Sequence, residues 1–251
     1  AATRVQGRSE TGTIDGHADV RRMLAEMRAE TFAARSISLL CAVAIDMAKA
    51  GNDRDWAARA AFLTPIAKAF GTAIGTRVAD LGIQVHGGAG YVEHTGAAQY
   101  YRDVRIAPIY EGTNGIQAMD LVSRKLADGG EVAFALIDEM ERDAEAARAS
   151  LPREAEALWQ AAEALRETTE ALLARAPEDR MAGAVAYLQG FGRVMGGLAH
   201  LRAARARPGG PELRLARFYM ERLLPEHASL LVQARAGQDT VMALSPQDLH
   251  A

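Results

Sequence analysis

The sequence predicts an all-α protein: an antiparallel helical bundle over residues 1–128, followed by a second helical domain over residues 131–251. Three observations carry this expectation. Apolar residues step by three and four along two runs of roughly 30 residues each, a length that favours antiparallel bundle packing over a solenoid. No stretch reads as a β-strand. Gly129–Gly130 divides the chain, and beyond it Ala-, Glu- and Arg-rich stretches carry Leu and Met at helical spacing.

The elements follow in order. From Asp19, the residues Val20, Met23, Leu24, Met27, Ala34, Ile37, Cys41, Ala44 and Ala48 form one long helical face that ends near Gly51–Asn52–Asp53. A second helix carries Leu63, Ile66, Phe70, Ile74, Val78, Leu81 and Val85 and ends at Gly87–Gly88. Pro65 stands either in its first turn or at a kink. The glycines of GGAGYVEHTG and their lack of helical period predict a loop. Gln99–Ile106 reads as a short helix, Pro108 as part of an irregular turn, and Gly115 to about Asp128 as a third helix. Further helices are expected over 131–150, 153–176, 179–206 and 212–236, the last broken or kinked at Pro225, before a fraying tail, LSPQDLHA.

Composition narrows the function. The net charge is −3 with mixed signs along the chain, which argues against nucleic-acid binding. The Arg-rich stretch Leu201–Arg207 fits a helix C-terminus, where cations suit the dipole. No run approaches the roughly 18–20 uncharged apolar residues of a membrane span. Cys41, the single cysteine, reads as a buried inert thiol, and the composition fits a reducing cytoplasm. His17, His94, His200, His227 and His250 form no metal-ligand spacing, so no metal is expected. The N-terminal AATRVQGRSETG has no apolar signal-peptide core and no starting Met.

Three segments could carry chemistry. In IYEGTNGIQ, residues 109–117, Glu111 stands between Ile109–Tyr110 and Gly112. Buried against such walls, a carboxylate becomes a stronger base, able to take a weakly acidic C–H proton α to a thioester carbonyl. The bland alternative is a solvated turn residue, with Thr113–Asn114 capping the third helix. In Gln84–Val85–His86–Gly87–Gly88, glycines at a helix end let backbone N–H groups approach a phosphate or flat cofactor, or simply form a C-cap and turn. His86 touches a ligand or packs. The charges of Arg102–Asp103–Val104–Arg105 read as structural ion pairs.

Together, QVHGGAGYVEHTGAAQYYRDVRIAPIYEGTNGIQ resembles the C-terminal helical domain of the acyl-CoA dehydrogenase family. That family's pattern is Q-x-x-G-G-x-G-Y, then R-D-x-R-I, then I-Y-E-G-T, and all three occur here in order. RVQGR also resembles the family's arginine-containing flavin segment, although the usual Phe-Gly is replaced. The resemblance covers about residues 1–126. It implies oxidation of acyl-CoA to trans-2-enoyl-CoA with FAD. Glu111 matches the base that takes the α-proton, while the β-hydride goes to flavin N5. Tyr110 and Gly112 match substrate contacts, and Thr113 and Asn114 match positions near the flavin. Gln84, His86, Gly87 and Gly88 match the strip that reaches the FAD of a neighbouring subunit, and Arg4 and Gln6 match the region of the flavin diphosphate.

Asn-Gly-Ile-Gln after I-Y-E-G-T, where many members carry Ser-Glu-Ile or Ser-Gln-Ile, and the long C-terminal continuation resemble the branch with broad acyl-CoA and 3-methylthiopropanoyl-CoA dehydrogenases. The family's N-terminal α-helical and β-domains are not in this sequence. The chain is therefore expected to be the C-terminal part of a longer enzyme, with little activity alone. A homodimer or homotetramer and an electron-transfer flavoprotein as acceptor are implied. A non-catalytic helical interaction or oligomerisation module, and a flavin-dependent acyl-CoA oxidase on the same scaffold, remain as alternatives.

Overall fold

A computed structural model describes residues 1–250, and its regular elements are all helices; no strand occurs among the described residues. Two long helices, α1 (Ala18–Gly51) and α2 (Arg54–His86), form an antiparallel hairpin. Asn52 ends α1 in the left-handed region at φ 49°, and the Asp53 carboxylate then accepts from the backbone N–H groups of Asp55 (2.8 Å) and Trp56 (3.3 Å) to start α2. This is a left-handed cap followed at once by an N-cap. Pro65 lies in the interior of α2, not in its first turn, and is buried.

The GGAGYVEHTG segment is not an irregular loop. It forms the single turn α3 (Gly88–Tyr91) and a 3₁₀ turn at Glu93–Thr95, then leads into α4 (Ala97–Val104). Gly90 is buried so tightly under the end of α2 that an added Cβ would stand 2.3 Å from the Ile83 carbonyl oxygen. The third predicted helix is split: α5 (Asn114–Asp120) widens into a π turn at Leu121–Lys125. Of the charges in Arg102–Arg105 read as structural ion pairs, Arg102 makes one, a two-bonded pair with Glu93 (2.9 and 2.8 Å).

Beyond Gly129–Gly130 come α6 (Glu131–Ala147), α7 (Pro152–Leu173), α8 (Pro177–Ala182) and α9 (Ala184–Ala206). The expected helix over 179–206 is divided at Gly183, where a Cβ would stand 2.1 Å from the Ala234 carbonyl oxygen. Then follow α10 (Pro211–Arg222), α11 (Glu226–Ala234), α12 (Asp239–Met242) and α13 (Pro246–Leu249), with the break at Pro225 as the sequence allows. The tail does not simply fray: Ser245 and Asp248 form a capping box on α13.

Helix α9 is the hub. It packs on α1, α2, α6, α7, α10 and α11, and is apolar on nearly every side. Glycines permit this closeness. A Cβ at Gly192 would stand 2.5 Å from the Phe70 ring, and one at Gly196 would stand 2.2 Å from the Tyr219 hydroxyl. Phe62, Phe191 and Tyr187 continue the contact as edge-on aromatic pairs with centroids 5.2 and 5.9 Å apart. One hydrophobic core therefore runs from α1 and α2 through α9 to α7, α10 and α11. Cys41 is buried in it, as expected.

The helix face is not purely apolar. Glu26 and Glu30 of α1 are buried, Glu30 against α9 and Glu26 against α2. Glu30 meets Arg193 of α9 at 2.6 Å, and Arg193 also meets Glu226 at 2.5 Å. Glu26 is held by Arg77 (2.7 Å) and Arg22 (2.8 Å). Farther along, Arg59 and Arg202 grip Glu139 at 2.7 and 2.6 Å, tying α2 and α9 to α6. Arg202 and Arg205 near the end of α9 also pair with Asp143, in keeping with the helix-end reading of Leu201–Arg207.

His200 on α9 is stacked on Tyr219 (4.5 Å) and shares a 3.1 Å hydrogen bond with the Ala29 carbonyl, to which its Nε2–H donates when neutral. Burial pushes its pKa from 6.5 down to about 4, and the Ala29 bond only partly opposes this. The unfolded chain binds a proton below its ordinary pKa while the folded chain does not until about pH 4. Stability from this site is complete above pH 6.5 and is lost as pH falls toward 4. The expected loss across the window is on the order of 3 kcal/mol. Urea midpoints of wild type and His200→Gln measured from pH 7 to 4.5 check this: the wild-type midpoint should fall more steeply.

Candidate functional site

The sequence-predicted residues gather at two places along α2. At its C-terminal end, Gly87 turns the chain at φ 62°, a value that glycine adopts without strain. The Arg4 guanidinium donates to the His86 carbonyl (2.6 Å) and to the Gln6 side-chain oxygen (2.7 Å). A Cβ on Gly87 would reach within 3.3 Å of that guanidinium, whereas around Gly88 there is open space. The Gln6 carbonyl is tied to His17 Nε2 at 2.7 Å. His86 Nδ1 lies 2.7 Å from the Gly82 carbonyl, which fixes the ring on its own helix; Gln84 and His86 are both exposed. Arg4, Gln6, Gln84, His86, Gly87 and Gly88 thus lie together at this end of α2, with Gly87 under the Arg4 guanidinium and the space around Gly88 open.

The second place is the turn between α4 and α5. Glu111 sits at φ 54° and Gly112 at φ 82°. Two left-handed residues in succession, one of them not glycine, are strained and need support. The support comes from one stretch of α2 that no motif marks. Lys68 Nζ donates to the Gly112 carbonyl (2.7 Å) and to Asn114 Oδ1 (3.0 Å), and Thr72 Oγ1 donates to Asn114 Oδ1 (3.0 Å). Asn114 Nδ2 donates to the Ala69 carbonyl (3.1 Å), and Gln117 Nε2 reaches the Glu111 carbonyl (3.3 Å). Thr113 caps α5 as expected, accepting from the Ile116 N–H at 3.3 Å.

One expectation is corrected. Glu111 is exposed, and so are its neighbours Ile109 and Tyr110, each with 51% exposure, so this chain does not bury the carboxylate. Ile106, Ile109, Tyr110, Ile116 and Met119, its apolar neighbours along the chain, are all exposed too. The same exposure marks the second half of α1, where Leu39, Val43, Ile45 and Met47 face outward. An 18-residue window of α1 is apolar enough by composition to cross a membrane and is only 22% buried, yet the helix as a whole is docked on α2 and α9. No group of three or more metal-ligating side chains occurs among the described residues.

The two places are 18 residues apart on α2, from Lys68 to His86, or roughly 27 Å at 1.5 Å per residue. They do not form one pocket within one chain.

The family model described as the acyl-CoA dehydrogenase C-terminal domain matches residues 1–127, and one described as acetyl-CoA dehydrogenase C-terminal like matches residues 136–245. The chain belongs to the acyl-CoA dehydrogenase family. It is 41% identical over 213 residues to 3-methylmercaptopropionyl-CoA dehydrogenase of Ruegeria pomeroyi, covering 78% of this chain and 36% of that protein. It is 33% identical over 149 residues to the broad-specificity linear acyl-CoA dehydrogenase FadE5 of Mycobacterium tuberculosis, covering 54% and 24%. The chain therefore spans about a third or less of these relatives' lengths. Its fold is that of ACDH-11 of Caenorhabditis elegans, solved in complex with C11-CoA, with a TM-score of 0.75 at 19% identity over 89% of this chain and 39% of that one. An acyl-CoA dehydrogenase complexed with FAD from Bacillus anthracis gives a TM-score of 0.61 at 17% identity over 97% and 45%.

Proposed function

We propose that this protein oxidises an acyl-CoA thioester to the trans-2-enoyl-CoA in an FAD-dependent reaction, with Glu111 as the base that takes the α-proton. The observation that carries the reading is the Glu111–Gly112 turn: an exposed carboxylate on a strained, anchored backbone, with exposed apolar side chains on both sides of it in the chain. A solvated turn residue needs no such anchoring. An acyl chain laid against Ile106, Ile109, Tyr110, Ile116 and Met119 would exclude water from the carboxylate while Gly112 lets the thioester pass close to the backbone. Tyr110 supplies one wall of that contact, and Thr113 and Asn114 hold the start of α5 beside it.

The strip at the end of α2 suits the anionic diphosphate of FAD. Arg4 brings the charge, Gln6 and Gln84 bring amides, Gly87 turns the chain under Arg4 and Gly88 leaves backbone uncovered, with His86 held back on its helix. FAD, when bound, supplies the acceptor for the β-hydride. Because this strip lies far from Glu111 along α2, the reading includes a homo-oligomer in which the strip serves the FAD of a second copy. An electron-transfer flavoprotein as acceptor and a cytoplasmic setting complete the proposal. The substrate class favoured by the 41% identical relative is a short thioether acyl-CoA.

The test uses the protein expressed from its full coding sequence and loaded with FAD. Anaerobic addition of 3-methylthiopropanoyl-CoA and of straight-chain acyl-CoAs is expected to bleach the flavin absorbance. A flavin that none of them reduces would overturn the reading, and rapid reoxidation of the reduced protein by air would convert it to an oxidase.

A further inference from the structure

The Glu111 turn has almost no purchase in the hydrophobic core. Ile109, Tyr110, Glu111, Gly112 and Thr113 are all exposed. What fastens it is polar and converges on one turn of α2, at Lys68, Ala69 and Thr72. Lys68 is central among these. Its half-buried ammonium makes no ion pair among the described residues; its two donated bonds go to the Gly112 carbonyl and the Asn114 side chain. A lysine placed for solubility or stability would point to water or to a carboxylate. This one spends its charge on the peptide that directly follows Glu111.

We propose that Lys68 is a positioning residue for the base: it holds the Gly112 carbonyl and, with Thr72, the Asn114 side chain, and so fixes the direction of the Glu111 carboxylate. This rests on the reading of Glu111 given above. The bonds are charge-assisted, and hence stronger than neutral ones. They offset the cost of keeping a non-glycine residue left-handed at φ 54°. Without Lys68 the turn rests on the Asn114 N–H bond to the Pro108 carbonyl (3.0 Å) and the Asn114–Ala69 and Asn114–Thr72 bonds alone, and with Gly112 released from α2 these open more often. The effect should fall on geometry at the base and hardly on the fold, because nothing in the core leans on this turn. Misplacement by about 1 Å can slow a reaction about 100-fold.

The test compares FAD-loaded wild type, Lys68→Met and Lys68→Arg. In Lys68→Met the rate of flavin reduction is expected to fall about 10- to 100-fold, with little change in the acyl-CoA concentration giving half the maximal rate. Lys68→Arg, which still donates to a carbonyl, should recover part of the rate. Hydrogen exchange supplies a readout independent of turnover: the Asn114 amide should exchange faster in Lys68→Met, while amides in the middle of α2 stay as they were. Unchanged exchange at Asn114 overturns the proposal, as does a rate per bound flavin equal to wild type. A wild type whose flavin no acyl-CoA reduces overturns the reading of Glu111 instead, and the exchange result then still decides whether Lys68 holds the turn.

Discussion

Glu111→Gln is expected to slow reduction of the flavin by acyl-CoA severely while leaving the flavin bound. Glutamine keeps the size and one acceptor oxygen of the side chain but cannot take a proton. The turn should survive the change, because its anchors are the Gly112 and Glu111 carbonyls and the Asn114 amide, none of which belongs to the Glu111 side chain. A positioned general base typically contributes about 10²–10⁴-fold to rate, and a loss of that size is expected here. Two measurements separate the base from a general loss of structure. The flavin content should match wild type, and exchange of the substrate α-proton with deuterated solvent should slow along with bleaching. A Glu111→Gln protein that bleaches at the wild-type rate would exclude this carboxylate as the base.

Arg193→Met should cost about 3–5 kcal/mol of stability, the price of breaking a buried ion pair from one side. Burial works against the Arg193 charge, but Tyr219, Glu30 and Glu226 outweigh it and hold the guanidinium above its ordinary pKa. Glu30 is fully buried, with Arg193 as its hydrogen-bond partner on one oxygen and nothing on the other. Removing the guanidinium strands that carboxylate. Glu226 is 39% exposed on its side chain and can turn to water, so most of the loss belongs to Glu30. The double variant Glu30→Leu/Arg193→Met should be markedly less destabilised than the single one, since apolar replacement of both partners removes the stranded charge. Urea unfolding of the three proteins checks this, and a double variant as weak as Arg193→Met would place the cost in lost packing on Phe70 and Tyr219.

How legible these features were differs by physical cause. The long helices were plain because Met23, Ile37, Cys41 and Ala44, and on α2 Leu63, Ile66, Phe70 and Ile74, lie where periodicity put them. Glu26 and Glu30 were not, because a carboxylate on a buried face looks polar until its arginine arrives from another helix. Gly90 is a different case: it serves close approach of backbones, which a sequence does not distinguish from a free turn. Arg4 and Gln6 came only from the family resemblance, and the structure gathers them with His86 and Gly87. Lys68 and Thr72 stayed invisible because their partners lie more than 40 residues away along the chain.

The glycines of α9 also bear on how the chain folds. Gly190, Gly192, Gly196 and Gly197 each cost roughly 1 kcal/mol of helix propensity against alanine. A segment so weakened has little reason to be helical until neighbours surround it, and its neighbours come from both sides of Gly129–Gly130. Helix α9 should therefore order late, as α1 and α2 close on it together with α7, α10 and α11. The two halves of the sequence then melt in a single cooperative transition, and the glycine helix that joins them acts as the latch.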